Sequence, residues 1–218
     1  MQVLSTHPSD HRGTNALKRA LADIDAPNWC VVYGDRRDMC EAVLAARYEG
    51  KRVIHVGGGE TEHFDHKLRH PDHWTRDAIS MLASVHCVAN EHARRNLMTI
   101  GIVNDVHITG CPSLDEVVEF AKTPRTRTGG RFEWLPESPG AFKPIVAERL
   151  SEAEFLERMA TCSEFITNSS AGLREAPILG TPVVMVGDRQ AGRAPAGTYH
   201  HPQGKACEEI ARIIRSVI

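Results

Sequence analysis

In "TNSSAGLREAPILG", residues 167–180, an apolar run ends in an amide and two hydroxyls, a helical pattern begins, and a carboxylate stands one turn further on. Hydroxyls and amides at a helix N-terminus suit phosphate or pyrophosphate, and Ser169, Ser170 and the adjacent Gly172 would form such a site. Glu175 would then accept hydrogen bonds from sugar or ribose hydroxyls. The same residues also read as plain helix capping, with the serines satisfying the first turn and Glu175 favouring its dipole. Residue types alone leave both readings open.

Three further groups invite chemistry. "KRVIHVGGGETE", residues 51–62, ends a strand in bare backbone, which marks a place that something approaches closely, and then supplies Glu60 and Glu62. Asp72 and Arg76 lie four apart on one helix face, as an acid with its orienting cation or as a surface ion pair of only about 0.3–0.5 kcal/mol. Asp35 ends the run "WCVVYGD", where a turn or cap residue is equally at home. The histidine-rich "HFDHKLRHPDHW", residues 63–74, invites a metal reading, but no ordered zinc spacing such as HExxH occurs. Cys30, Cys40, Cys87, Cys111, Cys162 and Cys207 are scattered without a CxxC pair and read as buried reduced thiols. No metal or cofactor is expected.

The elements that must position these groups alternate. Strands are expected at 29–35, 52–58, 84–90, 105–111, 164–170 and 182–188. Helices are expected at 37–49, 72–82, 91–100, 113–121, 151–162, 171–179 and 205–217, with a capping box at Ser151 and Glu154. Strands apolar on both faces and alternating with helices predict parallel sheets covered on both sides. The Pro-, Gly-, Thr- and Arg-rich stretch 122–138 interrupts the rhythm. The chain therefore divides into an N-terminal lobe at 1–120, a linker at 121–150 and a C-terminal lobe at 151–218. The polar strand ends "GDRRD", "GGGETE", "TNSSAG" and "GDRQAGR" are expected to converge, because ligands of open α/β sheets sit beyond the carboxyl ends of the strands.

At 218 residues with a net charge of −2, the chain offers no electrostatic case for nucleic-acid binding. No apolar run reaches the length of a membrane span, and the polar start "MQVLSTHPSDHRG" is unlike a signal peptide, so a cytoplasmic protein is expected.

"TNSSAGLREAPILGTPVVMVGDRQAGR" resembles the nucleotide-binding signature of the UDP-N-acetylglucosamine 2-epimerases, closest to their hydrolysing, sialic-acid-pathway branch. Four more segments fall in family order: "VVYGDR" (31–36), "IHVGGGE" (54–60), residues 71–97 and "ITGCPSLD" (108–115). The resemblance implies a GT-B-like architecture of two Rossmann-like lobes, both reduced here, binding a UDP-sugar. Ser169, Ser170 and Glu175 would hold the diphosphate and ribose; Arg36, Arg189 and Arg193 would offset phosphate charge. It also implies removal of the C2 proton of the sugar with expulsion of UDP, leaving a glycal to which UDP or water adds. Asp35 and Asp72 are then the acid/base carboxylates by motif position, with Arg76 beside Asp72 and Glu60 at the glutamate of the GGE motif.

Three departures accompany the resemblance. Gly57 stands where the family places a catalytic glutamate. The usual opening βα region with its arginine is expected to be missing, as is the second-lobe histidine of a T-x-H-R-like turn. The insert after Glu60 brings His63, Asp65, His66 and His70, which could replace lost acid/base groups or form a solvated loop. Loss of the Gly57 carboxylate leaves two alternatives standing, a small UDP-sugar glycosyltransferase and an inactive nucleotide-sugar-binding relative. A shortened sheet leaves an edge to be covered, so a homodimer is expected.

Overall fold

A computed structural model of the chain describes residues 1–4, 11–34, 37–60, 71–135, 150–188, 190–199 and 203–218. The chain forms two compact units, Met1–Asp115 with Gly192–Ala194 and Tyr199–Ile218, and Glu116–Ala191 with Pro195–Thr198.

The first unit is a five-stranded parallel sheet in the order β1 (Gln2–Leu4), β2 (Trp29–Tyr33), β3 (Arg52–Val56), β4 (Val85–Val88) and β5 (Val106–Ile108). Every residue of β2 and β4 is buried, as expected of strands covered on both faces. Alternation along β2 feeds two cores. Trp29, Val31 and Tyr33 pack with Leu17 of α1 (His11–Ala20), with Leu21 just after it, and with Ile210 and Ile214 of α8 (Ala206–Val217). Cys30 and Val32 pack with Met39 and Val43 of α2 (Arg37–Tyr48) and Ile79 of α3 (Pro71–Leu82). Helix α4 (Glu91–Thr99) starts at Asn90, whose side chain accepts the Ala93 amide, and seats Ala93 and Leu97 against Val88.

The second unit carries a parallel sheet in the order β6 (Arg131–Trp134), β7 (Glu164–Thr167) and β8 (Val183–Met185). Helix α5 (Asp115–Ala121) leads into it, and α6 (Glu152–Thr161) and α7 (Ala171–Ile178) complete it. The expected capping box is present at α6: Ser151 Oγ accepts from the Glu154 amide, and the Glu154 carboxylate accepts from the Ser151 amide at 2.7 Å. Phe132 stacks on Phe165 at 5.3 Å, and Phe155 packs edge-on against Trp134 at 5.1 Å.

Four expectations need correction. No element was expected ahead of residue 29, yet β1 and α1 precede β2. Residues 121–150 are not simply a linker, since "RFEW" within them pairs with β7 along its whole length. The 113–121 helix is a 3₁₀ turn, Pro112–Leu114, followed by α5. Finally, the C-terminal helix belongs to the first unit rather than to the 151–218 lobe. Its apolar face meets α1, and its first amides are capped from far away in sequence. Both carboxylate oxygens of Asp115 accept at 2.9 Å, one from Ala206 N and one from Cys207 N. A carboxylate at a helix N-terminus meets the positive end of the dipole. Asp115→Ala should therefore lower stability by about 2 kcal/mol in urea denaturation, the upper range for loss of an N-cap; Asp115→Asn should recover part of that.

All six cysteines are free thiols, and five are buried. Burial pushes the Cys87 thiol up to about 12, so it stays protonated and unreactive at neutral pH. No helix among the described residues is long and apolar enough to cross a membrane.

Candidate functional site

The strand ends of each unit carry the residues singled out above. In the second unit, β7 runs into Asn168, Ser169 and Ser170, and α7 follows directly. Thr167, fully buried, fixes the entry to this turn: its hydroxyl donates to Trp134 O at 2.6 Å and accepts from Ser169 N at 3.0 Å. Ser169 Oγ accepts from Ala171 N at 3.3 Å, and the Gly172 and Leu173 amides bond to the Ser169 and Ser170 carbonyls. Much of the amide donor capacity expected at this terminus is thus used within the turn. The hydroxyls are better placed to serve an anion: Ser170 makes no side-chain capping bond, and Ser169 holds its amide partner only at long range.

Gly172 has a packing role. A Cβ there would lie 2.6 Å from Met185 Sδ and 2.9 Å from Thr167 Cγ2, so its absence lets α7 press onto β7 and β8. Glu175, one turn into α7, is half-buried, and its Oε2 is enclosed with no hydrogen-bond partner among the described residues. An enclosed carboxylate oxygen without a donor costs about 1–3 kcal/mol, so this atom is chemically suited to a ligand hydroxyl. Arg189 lies outside the described residues. Arg193 is half-buried and falls in the first unit, where the neighbouring Gly192 carbonyl accepts from His92 Nε2 at 3.1 Å.

In the first unit, β3 delivers His55 and the three glycines. His55 is fully buried. Its Nε2 lies 3.2 Å from the Gly34 carbonyl and its Nδ1 lies 3.0 Å from Ser80 Oγ. A carbonyl only accepts, so Nε2 carries a proton. The imidazole links the Gly34 carbonyl, just beyond β2, to Ser80 of α3, the helix that carries Asp72 and Arg76. Arg76 is buried, at 8% exposure. The Asp72 side chain, Asp35, Arg36 and the insert at 61–70 lie outside the described residues.

The glycines have neighbours within the protein. A Cβ on Gly58 would stand 2.8 Å from His55 Nδ1, and one on Gly59 only 2.2 Å from the Ala93 carbonyl of α4. Asn96 Nδ2 donates to Gly59 O at 2.8 Å, locking the turn onto that helix. Close approach is thus by α4 and His55, where the sequence suggested a ligand. Gly57 has φ +86°, with Tyr33 the nearest side chain at 3.8 Å from a hypothetical Cβ. That backbone conformation is one that L residues rarely adopt. Glu60 follows the turn and is half-buried. Tyr33 Oη lies 3.6 Å from Cys111 Sγ, which lies 3.2 Å from Ser113 Oγ. Among the described residues no cluster of His, Cys, Asp or Glu is arranged to hold a metal.

A family profile described as UDP-N-acetylglucosamine 2-epimerase matches residues 11–132 and 141–218. The chain belongs to that family. A UDP-N-acetylglucosamine 2-epimerase of Neisseria meningitidis is 26% identical, over 79% of this chain and 59% of the relative. A hydrolysing UDP-N,N'-diacetylbacillosamine 2-epimerase of Legionella pneumophila is 23% identical, over 76% of this chain and 58% of the relative. The chain thus spans about three-fifths of the length of the curated relatives it matches. Among solved structures, that of a UDP-GlcNAc 2-epimerase from N. meningitidis bound to UDP-GlcNAc aligns with TM-score 0.67 and 16% identity, covering 94% of this chain and 81% of its own. The fold class is accordingly the expected one, α/β with parallel sheets in two Rossmann-like units of the GT-B-like, epimerase-family kind, in shortened form.

Gln190, Thr167 and His55 were not among the expected site residues. Thr167 and His55 stand inside quoted motifs, but their partners lie on other strands and helices. Gln190 shares the "GDRQAGR" run, yet its target is 22 residues upstream.

Proposed function

We propose that the chain binds a UDP-sugar of the UDP-GlcNAc type and acts on it as a 2-epimerase, with Ser169, Ser170, Gly172 and Glu175 at the nucleotide and Arg36, Arg189 and Arg193 around the phosphates. The observation that carries the reading is the enclosed, unsatisfied Oε2 of Glu175 beside the serine turn, in a chain whose family signature runs through those residues. A ribose hydroxyl donated to that oxygen would satisfy it. A base removes the C2 proton while the C1–O bond to UDP breaks, leaving a glycal; UDP or water then adds to its double bond. Asp35 and Asp72 are the acid/base candidates, Arg76 orients Asp72, and Glu60 is the carboxylate nearest in sequence to the place lost at Gly57. The protein is read as cytoplasmic and as a homodimer, to be checked by light scattering at micromolar concentration.

Gly57 favours a second reading, a relative that binds the nucleotide-sugar without this turnover. One incubation separates the two: UDP-GlcNAc in D₂O, followed by NMR. The first reading gives UDP release and deuterium at C2, both abolished in Asp35→Asn. UDP binding without either signal would leave only the second.

A further inference from the structure

We propose that Gln190 is a positioning residue for the serine turn, holding in place the loop that presents Ser169 and Ser170 to the diphosphate; this rests on the UDP-sugar reading. The parallel pairing of β7 and β8 runs from Phe165 with Val183 to Thr167 with Met185, and its last bond is Val186 N to Thr167 O at 2.8 Å. Beyond it the chain turns away through Gly187 and Asp188, closed by Ala191 N donating to Asp188 O at 2.8 Å. The carbonyl of Asn168 is the first beyond that pairing. Gln190 Nε2 donates to it at 2.9 Å. Asn168 is 3% exposed, so its carbonyl needs a partner inside the protein.

The turn is thus gripped from two sides. Thr167 ties the Ser169 amide to the β6 side, and Gln190 ties the Asn168 carbonyl to the loop after β8. The carboxamide can sit only one way, because turning it over would set Oε1 against the Asn168 carbonyl. Oε1 itself is enclosed, with no partner among the described residues. The effect of Gln190 passes through the placement of the two serine hydroxyls, and small misplacements of such groups carry large penalties.

The test compares wild type, Gln190→Ala and Gln190→Glu by UDP calorimetry between pH 4.5 and 7.5, with hydrogen exchange of the ligand-free proteins. Gln190→Ala should bind UDP about tenfold more weakly, the size of one positioned hydrogen bond. Exchange at the Ser169–Ala171 amides should quicken while the α6 core amides keep their protection. Gln190→Glu should be worse at pH 7.5, where a carboxylate faces a carbonyl. It should then recover relative to wild type as acidification restores an O–H donor, a response that a merely structural role would not give. Unchanged UDP affinity and unchanged turn exchange in Gln190→Ala would overturn the proposal, as would a Gln190→Glu to wild-type ratio that is flat with pH. Wild type failing to bind UDP would sink the nucleotide reading and this role with it. Wild-type binding with an unaffected Gln190→Ala would remove Gln190 alone.

Discussion

Gly59→Ala should destabilise the first unit by about 2–5 kcal/mol, combining about 1–2 for a left-handed non-glycine residue with about 1–3 for overpacking. The backbone there has φ +76°, and the new methyl would stand 2.2 Å from the Ala93 carbonyl, a backbone atom in α4. It cannot be relieved by a rotamer change; α4 or the turn must move. Either movement strains the Asn96 bond to the Gly59 carbonyl. Gly57→Ala is the matched control. It has the same sign of φ but its nearest side chain lies 3.8 Å away, so it should show the backbone part alone, about 1–2 kcal/mol. Urea denaturation of both variants measures the difference. Equal losses would mean that the turn relaxes away from α4 at little cost.

Acid should weaken the fold well above the range where carboxylates alone would do so, because of His86. This side chain in β4 is 3% exposed, and its Nδ1 has no hydrogen-bond partner among the described residues. Burial pushes its pKa from 6.5 down to about 4; Asp105 opposes the fall and His107 adds to it. A depressed histidine favours the neutral form in the fold. Its contribution to stability is therefore complete above about pH 6.5 and is lost progressively as pH falls towards 4. At about 1.4 kcal/mol per factor of ten in proton affinity, the loss across that window is about 3 kcal/mol. His86→Leu should flatten the stability profile between pH 6.5 and 4.5 and leave stability at pH 7.5 little changed. A variant as acid-sensitive as wild type would assign the effect to other groups.

The elements legible in sequence were those whose apolar residues repeat locally. All six expected strands are present, each shorter than its apolar run, because the runs continue into the polar ends that leave the sheet. What was missed depends on distant partners. β1 is only "QVL", and α1 opens with His11, Arg12, Gly13 and Thr14, which advertise no helix, although Gly13 is needed to admit the Tyr33 ring. β6 hides in a run of arginine, glycine and threonine, and it becomes a strand because Phe132 and Trp134 join the aromatic cluster of β7 and α6. α8 was recognised as a helix, but nothing local says that Asp115, about ninety residues earlier, caps it.

The site was legible to the same degree. Composition and order marked the serine turn, Glu175 and the glycine turn. They did not say that Gly58 and Gly59 serve His55 and α4, nor that Gly172 serves the β7–β8 packing. Gly57 remains the sharpest departure: the residue lacks a carboxylate, and its backbone resists carrying one.

The central claim, a UDP site built on the β7–α7 turn, is tested most directly by titrating UDP into the purified chain in a calorimeter, beside Glu175→Ala and Ser169→Ala. Saturable binding at one site per chain is predicted for wild type, weakened about tenfold or more in each variant, the loss expected when a charged or anion-facing hydrogen bond is removed. Absence of binding at millimolar UDP, or binding that both substitutions leave unchanged, would contradict it.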